Sequence, residues 1–313
     1  MSVSSPDRAI MVENVTKRYD DFTAVSDLSF EVGCGEIFSM LGPNGAGKTT
    51  TIRMILDILK PDTGSIEVLG APIAEKTKER IGYLPEERGL YRNVPVIEVL
   101  TYLGQLKGMT RHDAQRRALE LLDQVGLSEN AQSKVSELSK GMQQKVQIIS
   151  AVLHHPELII IDEPFAGLDP VNTQVIKDLL YDMHKDGVTI VMSTHQMQQI
   201  EEMADRLVMI DHGRRVLYGG VDEVRQRFAK NAVIVEGEGD WAALSGVTSV
   251  EKSENGRGLV LNLAKDVTPD DVMGQMAAGA DYHVRRFELA VPSLNEIFIE
   301  VAGYSRPNGH NGG

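Results

Sequence analysis

Gly42-Pro43-Asn44-Gly45-Ala46-Gly47-Lys48-Thr49 has the spacing G-x-x-x-x-G-K-[ST], and its flanks give that spacing physical meaning. Before it, Glu36 to Leu41 reads as a short strand. After it, Thr50 to Leu59 carries Ile52, Ile55, Leu56 and Leu59 at helical spacing and is closed by Lys60-Pro61. Strand, glycine loop and helix form the context that a phosphate cradle needs. The glycines let backbone N–H groups turn inward, and the helix start, with Thr50 in its first turn, adds the positive end of its dipole. Lys48 is then placed to reach the β- and γ-phosphates of a nucleotide, and the Thr49 hydroxyl to ligate Mg²⁺.

Outward from the loop, residues 11–70 read as short strands: Met11 to Tyr19, Ala24 to Glu31, Glu36 to Leu41 and Ser65 to Leu69. From Val94 to about Leu153 the pattern turns helical, with Val96 to Leu106 and Thr110 to Val125 as candidate helices, the second opened by Thr110 and Asp113 in the manner of a capping box. The β/α rhythm then returns: strand Leu158 to Ile161, helix Asn172 to His184, strand Val188 to Ser193, helix Met197 to Ala204, strand Arg206 to Ile210. Such alternation predicts a mostly parallel sheet with a helical insertion. Beyond about Phe228 three strands, a helix capped at Thr268, a strand over Tyr282 to Leu289 and a last helix from Leu294 approximate β-α-β-β-α-β, which predicts a small α+β domain of ferredoxin-like order over 229–303. Residues 304–313 hold Gly, Asn and Pro without apolar content and read as a disordered tail.

The chain has 313 residues, with 32 Lys and Arg against 45 Asp and Glu, a net charge of −13. That balance opposes a nucleic-acid partner, which needs a basic face. Cys34 is the single cysteine, so no internal disulfide forms, and a reducing compartment is expected. Met1 to Arg8 lacks a signal-peptide pattern, and no apolar run reaches bilayer length, so any membrane role is expected to come through a partner.

Three further segments carry chemistry. Leu158 to Ile161 followed by Asp162-Glu163 is a buried-strand run ending in two acids, at the strand end where parallel sheets place ligands. There Asp162 suits a Mg²⁺ shell, and Glu163 suits the role of base for water attacking a γ-phosphate. Ser193-Thr194-His195 ends the next strand. Alone, His195 is either a satisfied structural residue or a group within reach of the same ligand edge. Leu138-Ser139-Lys140-Gly141-Met142-Gln143 starts a helix with Ser139 as N-cap, which alone is either an ordinary capped helix or an anion site.

The order and spacing of these pieces, with Ala166-Gly167-Leu168-Asp169 between them, resemble the ATP-binding subunit of an ABC transporter. The resemblance covers about residues 9–225, within an ATPase domain read over 9–228. It implies a P-loop α/β core with a mostly parallel sheet, an antiparallel β subdomain and a helical insertion at about 86–153. It also implies that Tyr19 stacks on adenine and that residues 42–50 hold ATP with Mg²⁺. Ser139 and Gly141 are implied to meet the γ-phosphate held by a second subunit, in a homodimer or heterodimer. Lys48, Glu163 and His195 are the implied catalytic groups, with Thr49, Glu86 and Asp162 around the metal. An integral membrane permease is the implied partner, docking at about Glu86 to Gln132, with the chain cytoplasmic and peripheral on the inner face of the membrane.

Two departures stand out. Lys140 and Met142 replace the first glycine and the glutamine of the usual Leu-Ser-Gly-Gly-Gln, and Glu86 stands where a glutamine is usual. A carboxylate keeps an oxygen but loses the amide donor. The segment Tyr83-Leu84-Pro85-Glu86-Glu87-Arg88-Gly89-Leu90-Tyr91 and the closing Pro292-Ser293-Leu294-Asn295-Glu296-Ile297-Phe298 resemble bacterial exporter ATPases similar to sodium-extrusion systems. Two other readings compete. A soluble ABC ATPase acting on ribosomes or DNA would usually carry two cores, and a non-hydrolysing regulatory subunit is opposed by Glu163 and His195.

Overall fold

A computed structural model describes residues 8–86, 89–253, 256, 258–279 and 281–304. Its contacts divide the chain after Val221, so residues up to the expected boundary at 228 group with the second unit.

The first unit opens with β1 (Arg8–Tyr19) and β2 (Phe22–Gly33), a hairpin turning at Asp20-Asp21 that pairs Tyr19 with Phe22. Then follow β3 (Ile37–Leu41), α1 (Lys48–Ile55), β4 (Thr63–Val68), α2 (Glu75–Lys78) and β5 (Ile81–Leu84). The insertion supplies α3 (Val96–Leu106), α4 (Arg111–Gln124) and α5 (Lys140–Val152). The chain returns through β6 (Leu158–Asp162), α6 (Pro170–Lys185), β7 (Thr189–Thr194), α7 (Met197–Met203), β8 (Arg206–Asp211) and β9 (Arg214–Gly220).

β2-β1-β4 form an antiparallel sheet, and β5-β6-β7-β3-β8-β9 form a six-stranded one, parallel except for β9. The strands β3, β6 and β7 are buried along their whole length, which is why their sequences are apolar runs without alternation. Their period of two still decides what each side chain touches. Ile159 and Ile161 join the core under α3 to α6, whereas Leu158 and Ile160 join the core that holds α1 and the antiparallel sheet. Because β6, β7 and β3 are neighbours, their carboxyl ends bring residues 162–163, 194–195 and 42–49 to one edge.

β5 and β9 are strands that the sequence pattern did not mark. β5 is four residues long and contains Gly82, where a Cβ would lie 2.1 Å from the carbonyl oxygen of Ala151. The glycine is there to let α5 pass close, and it costs the strand its apolar signature.

The second unit begins within α8 (Val221–Arg227), one residue after its start, and Arg225 of this helix donates to the Pro292 carbonyl. It continues with β10 (Ala232–Glu238), β11 (Val247–Lys252), β12 (Leu259–Leu263), α9 (Pro269–Ala278), β13 (His283–Leu289) and α10 (Leu294–Tyr304). The sheet is antiparallel in the order β11-β12-β10-β13, the strand arrangement expected of a β-α-β-β-α-β unit. The first helix of that unit, however, is only a 3₁₀ turn over Trp241–Ala243, because few residues separate Glu238 from Val247. Trp241 replaces the missing helix as filler, packing on Tyr282 at 5.5 Å between ring centres and joining the core of Val233, Leu261, Val272 and Met276. α10 reaches Tyr304, where the expected tail starts; residues 305–313 of that tail lie outside the described residues.

Candidate functional site

The loop after β3 is built on two glycines that nothing else could replace. At Gly42 a Cβ would fall 2.1 Å from the Ile210 carbonyl oxygen, and at Gly47, with φ +107°, 2.5 Å from that of Ala24. Gly47 caps α1, so the free N–H groups of the first turn point into the loop. Thr51 ties back through its hydroxyl to the Gly47 carbonyl at 2.8 Å, and Ala46 N–H donates to Pro43 O at 3.2 Å. Lys48 is buried. Its Nζ donates to the carbonyls of Gly42 at 2.7 Å and Pro43 at 3.1 Å. Burial lowers its pKa, and the negative charges of Glu163, Asp162 and Glu86 oppose that shift.

A cavity of about 490 Å³ opens over this loop. Asn44, Gly45, Ala46, Gly47, Lys48, Thr49 and Thr50 form its floor, and Glu86, Asp162 and Glu163 one wall. Tyr19, Phe22 and Ala24 form the other, from the β1–β2 hairpin. Gly42 and Pro43 do not line it; they hold Lys48 from behind. Phe22 is a wall residue that the sequence reading passed over. The available signal was the hairpin register, which sets it opposite Tyr19.

Asp162 ends β6, almost fully buried. It accepts hydrogen bonds from the Thr49 hydroxyl at 3.1 Å and from the Ser193 hydroxyl. Glu163 leaves the strand in the left-handed region, with φ +54°, an uncommon conformation for a non-glycine residue. Its N–H is held by the Ser193 carbonyl at 2.9 Å, and its carboxylate meets His195 Nδ1 at 2.8 Å and the Thr194 hydroxyl at 3.3 Å. The turn therefore aims the Glu163 carboxylate at the cavity, with the imidazole against its outer oxygen.

Among the described residues no cluster of three or more His, Cys, Asp or Glu could hold a metal by itself. Thr49 and Asp162 bring two hard oxygens together, and Glu86 lines the same cavity. This donor set fits Mg²⁺, a cation that keeps its remaining positions for phosphate oxygens and water.

Ser139 and Gly141 do not line the cavity. Ser139 caps α5, its hydroxyl accepting from Met142 N–H at 3.2 Å, and it is exposed, as is Lys140. Gly141 faces Leu168 and Asn172, the latter in the first turn of α6. Asp169 caps α6, accepting from the N–H of Asn172 at 2.9 Å, and that bond holds its carboxyl below the usual carboxylate range. Met142 is half-buried against the core, so at this position a side chain that packs replaces one that hydrogen-bonds.

A family model described as ABC transporter matches residues 25–166, and one described as ATP-binding protein DrrA1-3-like, C-terminal domain, matches residues 219–302. An uncharacterised ABC transporter ATP-binding protein of Bacillus subtilis, YhaQ, is 40% identical over 94% of this chain and 98% of its own length. The linearmycin resistance ATP-binding protein LnrL of the same organism is 33% identical over the same shares. A solved structure described as the ATP-binding subunit of an ABC transporter superposes with a TM-score of 0.66 at 32% identity, covering 70% of this chain and 93% of that one.

Proposed function

The chain belongs to the family of ABC transporter ATP-binding proteins, and from that premise we propose that it binds and hydrolyses ATP as one of two subunits that drive a membrane permease. The observation that carries this reading is the separation of two anion sites. Residues 44–50, Asp162 and Glu163 share one cavity, while the capped start of α5, with Ser139 exposed and Gly141 half-buried, lies off it. A second copy, or a related subunit, supplies the missing half of each site. ATP then lies between the loop of one subunit and the Ser139 turn of the other, and binding closes the pair.

In this arrangement Tyr19 and Phe22 flank the base, and the N–H groups of residues 44–49 hold the phosphates. Lys48, held by the Gly42 and Pro43 carbonyls, turns its remaining donor to phosphate oxygens. Thr49 and Asp162, with Glu86 near, would hold Mg²⁺, which when bound would offset phosphate charge. Glu163 orients the attacking water and takes its proton, and His195 fixes the carboxylate and reaches toward the γ-phosphate.

The permease docks on the insertion, where Tyr91 and Tyr102 stand exposed and edge-on to each other beside a cleft of about 350 Å³ lined by Glu98, Gln105, Arg111, Gln115 and Gln132. No helix among the described residues is long and apolar enough to cross a membrane, and in this reading the chain attaches through such a partner on its cytoplasmic side. The name of the relative LnrL, a resistance protein, supports outward transport.

The test is Ser139→Arg. A bulky cation at the helix start blocks the approach of a second subunit, so the ATP-driven rise in mass seen by light scattering should vanish while ATP binding to the monomer persists. An unchanged dimer would refute the shared site.

A further inference from the structure

The first turn of α5 carries a side chain that the proposed cycle leaves unused. Gln143 points back along its own chain, and its Nε2 donates to two carbonyls, that of Val135 at 3.1 Å and that of Leu138 at 2.9 Å. Leu138 immediately precedes Ser139. Val135 belongs to a short backbone ladder between the segment that follows Glu86 and the segment that precedes Ser139. In it Ser136 N–H donates to Arg92 O at 2.8 Å, Val135 N–H to Val94 O at 3.2 Å and Val96 N–H to Ser133 O at 3.0 Å. Val135 and Leu138 are also buried in the same core as Leu84 and Val96.

Three links therefore run in series: the chain leaving the Glu86 loop, the ladder, and the turn that presents Ser139. Backbone hydrogen bonds join the first two. The second and third are joined by the short turn over Val135–Glu137, in which Leu138 N–H donates to Val135 O at 3.3 Å, and one side-chain amide, that of Gln143, braces this turn by holding both of its carbonyl ends. The geometry points to Gln143 as a positioning residue that holds the Ser139 turn in register with the segment after Glu86, so that the turn meets the nucleotide of the opposite subunit correctly.

The chemistry of the joint is specific. Two carbonyl oxygens face one group, so the group must donate twice, which the NH₂ of an amide does and a carboxylate does not. Gln143→Glu keeps the shape and sets a charged acceptor against two acceptors. Gln143→Lys restores donors on a chain of similar reach. This proposal rests on the two-subunit reading above, and the experiment separates the two.

In full-length protein carrying Glu163→Gln to slow turnover, the ATP concentration that half-converts monomer to dimer is measured by light scattering. Binding of a fluorescent ATP analogue to the monomer is measured alongside. Gln143→Glu should raise the dimerisation midpoint about tenfold, the cost of about one lost hydrogen bond to a charged mismatch. Gln143→Lys should return it to within about twofold of the parent, and analogue binding should stay unchanged in both. If the parent dimerises and Gln143→Glu dimerises at the same ATP concentration, the positioning role is refuted and the shared site stands. A Gln143→Glu protein that also loses analogue binding would refute it too, by showing that the amide holds the fold. A parent that stays monomeric in saturating ATP refutes the shared site, and this proposal with it.

Discussion

Replacing Glu163 by Gln separates chemistry from structure, because the turn that holds this residue is secured mainly by its backbone. The N–H of Glu163 bonds the Ser193 carbonyl at 2.9 Å, and its carbonyl accepts from Ala166 N–H at 3.3 Å; neither depends on the side chain. The amide oxygen of Gln can still accept from His195 Nδ1 at the 2.8 Å position, so at most the weaker contact to Thr194, at 3.3 Å, is disturbed. One such bond is worth about 0.5–1.5 kcal/mol, which for a unit of this size lowers the melting temperature by no more than about 6 °C. Loss of a general base costs about 10²–10⁴ in rate, or about 2.7–5.5 kcal/mol in barrier. The second effect dominates. Phosphate release at saturating ATP should therefore fall at least about a hundredfold, with ATP binding intact and the melting curve nearly superimposable. Turnover at the wild-type rate would refute the assignment of the base. A fall in melting temperature beyond about 10 °C alongside lost activity would refute the reasoning differently, by showing that the carboxylate holds the turn.

The glycines of the loop give a graded comparison. Gly47→Ala meets both the left-handed φ of +107° and the Ala24 carbonyl at 2.5 Å, whereas Gly45→Ala, at φ +80°, has no atom within 4 Å. The first should weaken ATP binding by more than about tenfold and lower the melting point by several degrees, and the second should pay only the backbone strain of about 1–2 kcal/mol. Equal losses would show that the Ala24 contact is unimportant. Acid should expose His154, whose Nε2 lies 3.2 Å from the Ile81 carbonyl and whose pKa burial lowers from 6.5 to about 4. Between those values the unfolded chain binds the proton that the folded chain refuses, so stability falls as pH drops through the window. His154→Gln cannot titrate, and its denaturation midpoint should change less with pH over that range. Parallel curves for the two proteins would exclude His154 as a source of acid sensitivity.

The legible parts of this chain were those where one physical demand governs a run of residues. β3, β6 and β7 are apolar because both faces are covered, and the caps at Thr110, Ser139 and Thr268 announce α4, α5 and α9, each accepting from an N–H three residues on. β5 and β9 were not legible for opposite reasons. β5 gives up its signature to a helix crossing at Gly82, and β9 is a sheet edge that begins with two exposed arginines. Within the cavity, the loop and the acids that the sequence pattern marked do lie together, because each follows a buried strand of the same sheet and those strands are close neighbours. Phe22 and Gln143 carry no such mark, because the first is defined by a hairpin register and the second by a carbonyl eight residues back in the chain. Such relations exist only once the chain is folded.

Lys48 already has ligands of its own, the two carbonyls that close the back of the loop. An ammonium carries three donors and the carbonyls take two, so a phosphate in the cavity would meet a lysine that the loop itself has already oriented. The backbone of the loop thus fixes the direction of its own cation before any ligand arrives, and the rotamer freedom of a long side chain is lost on folding instead of on binding.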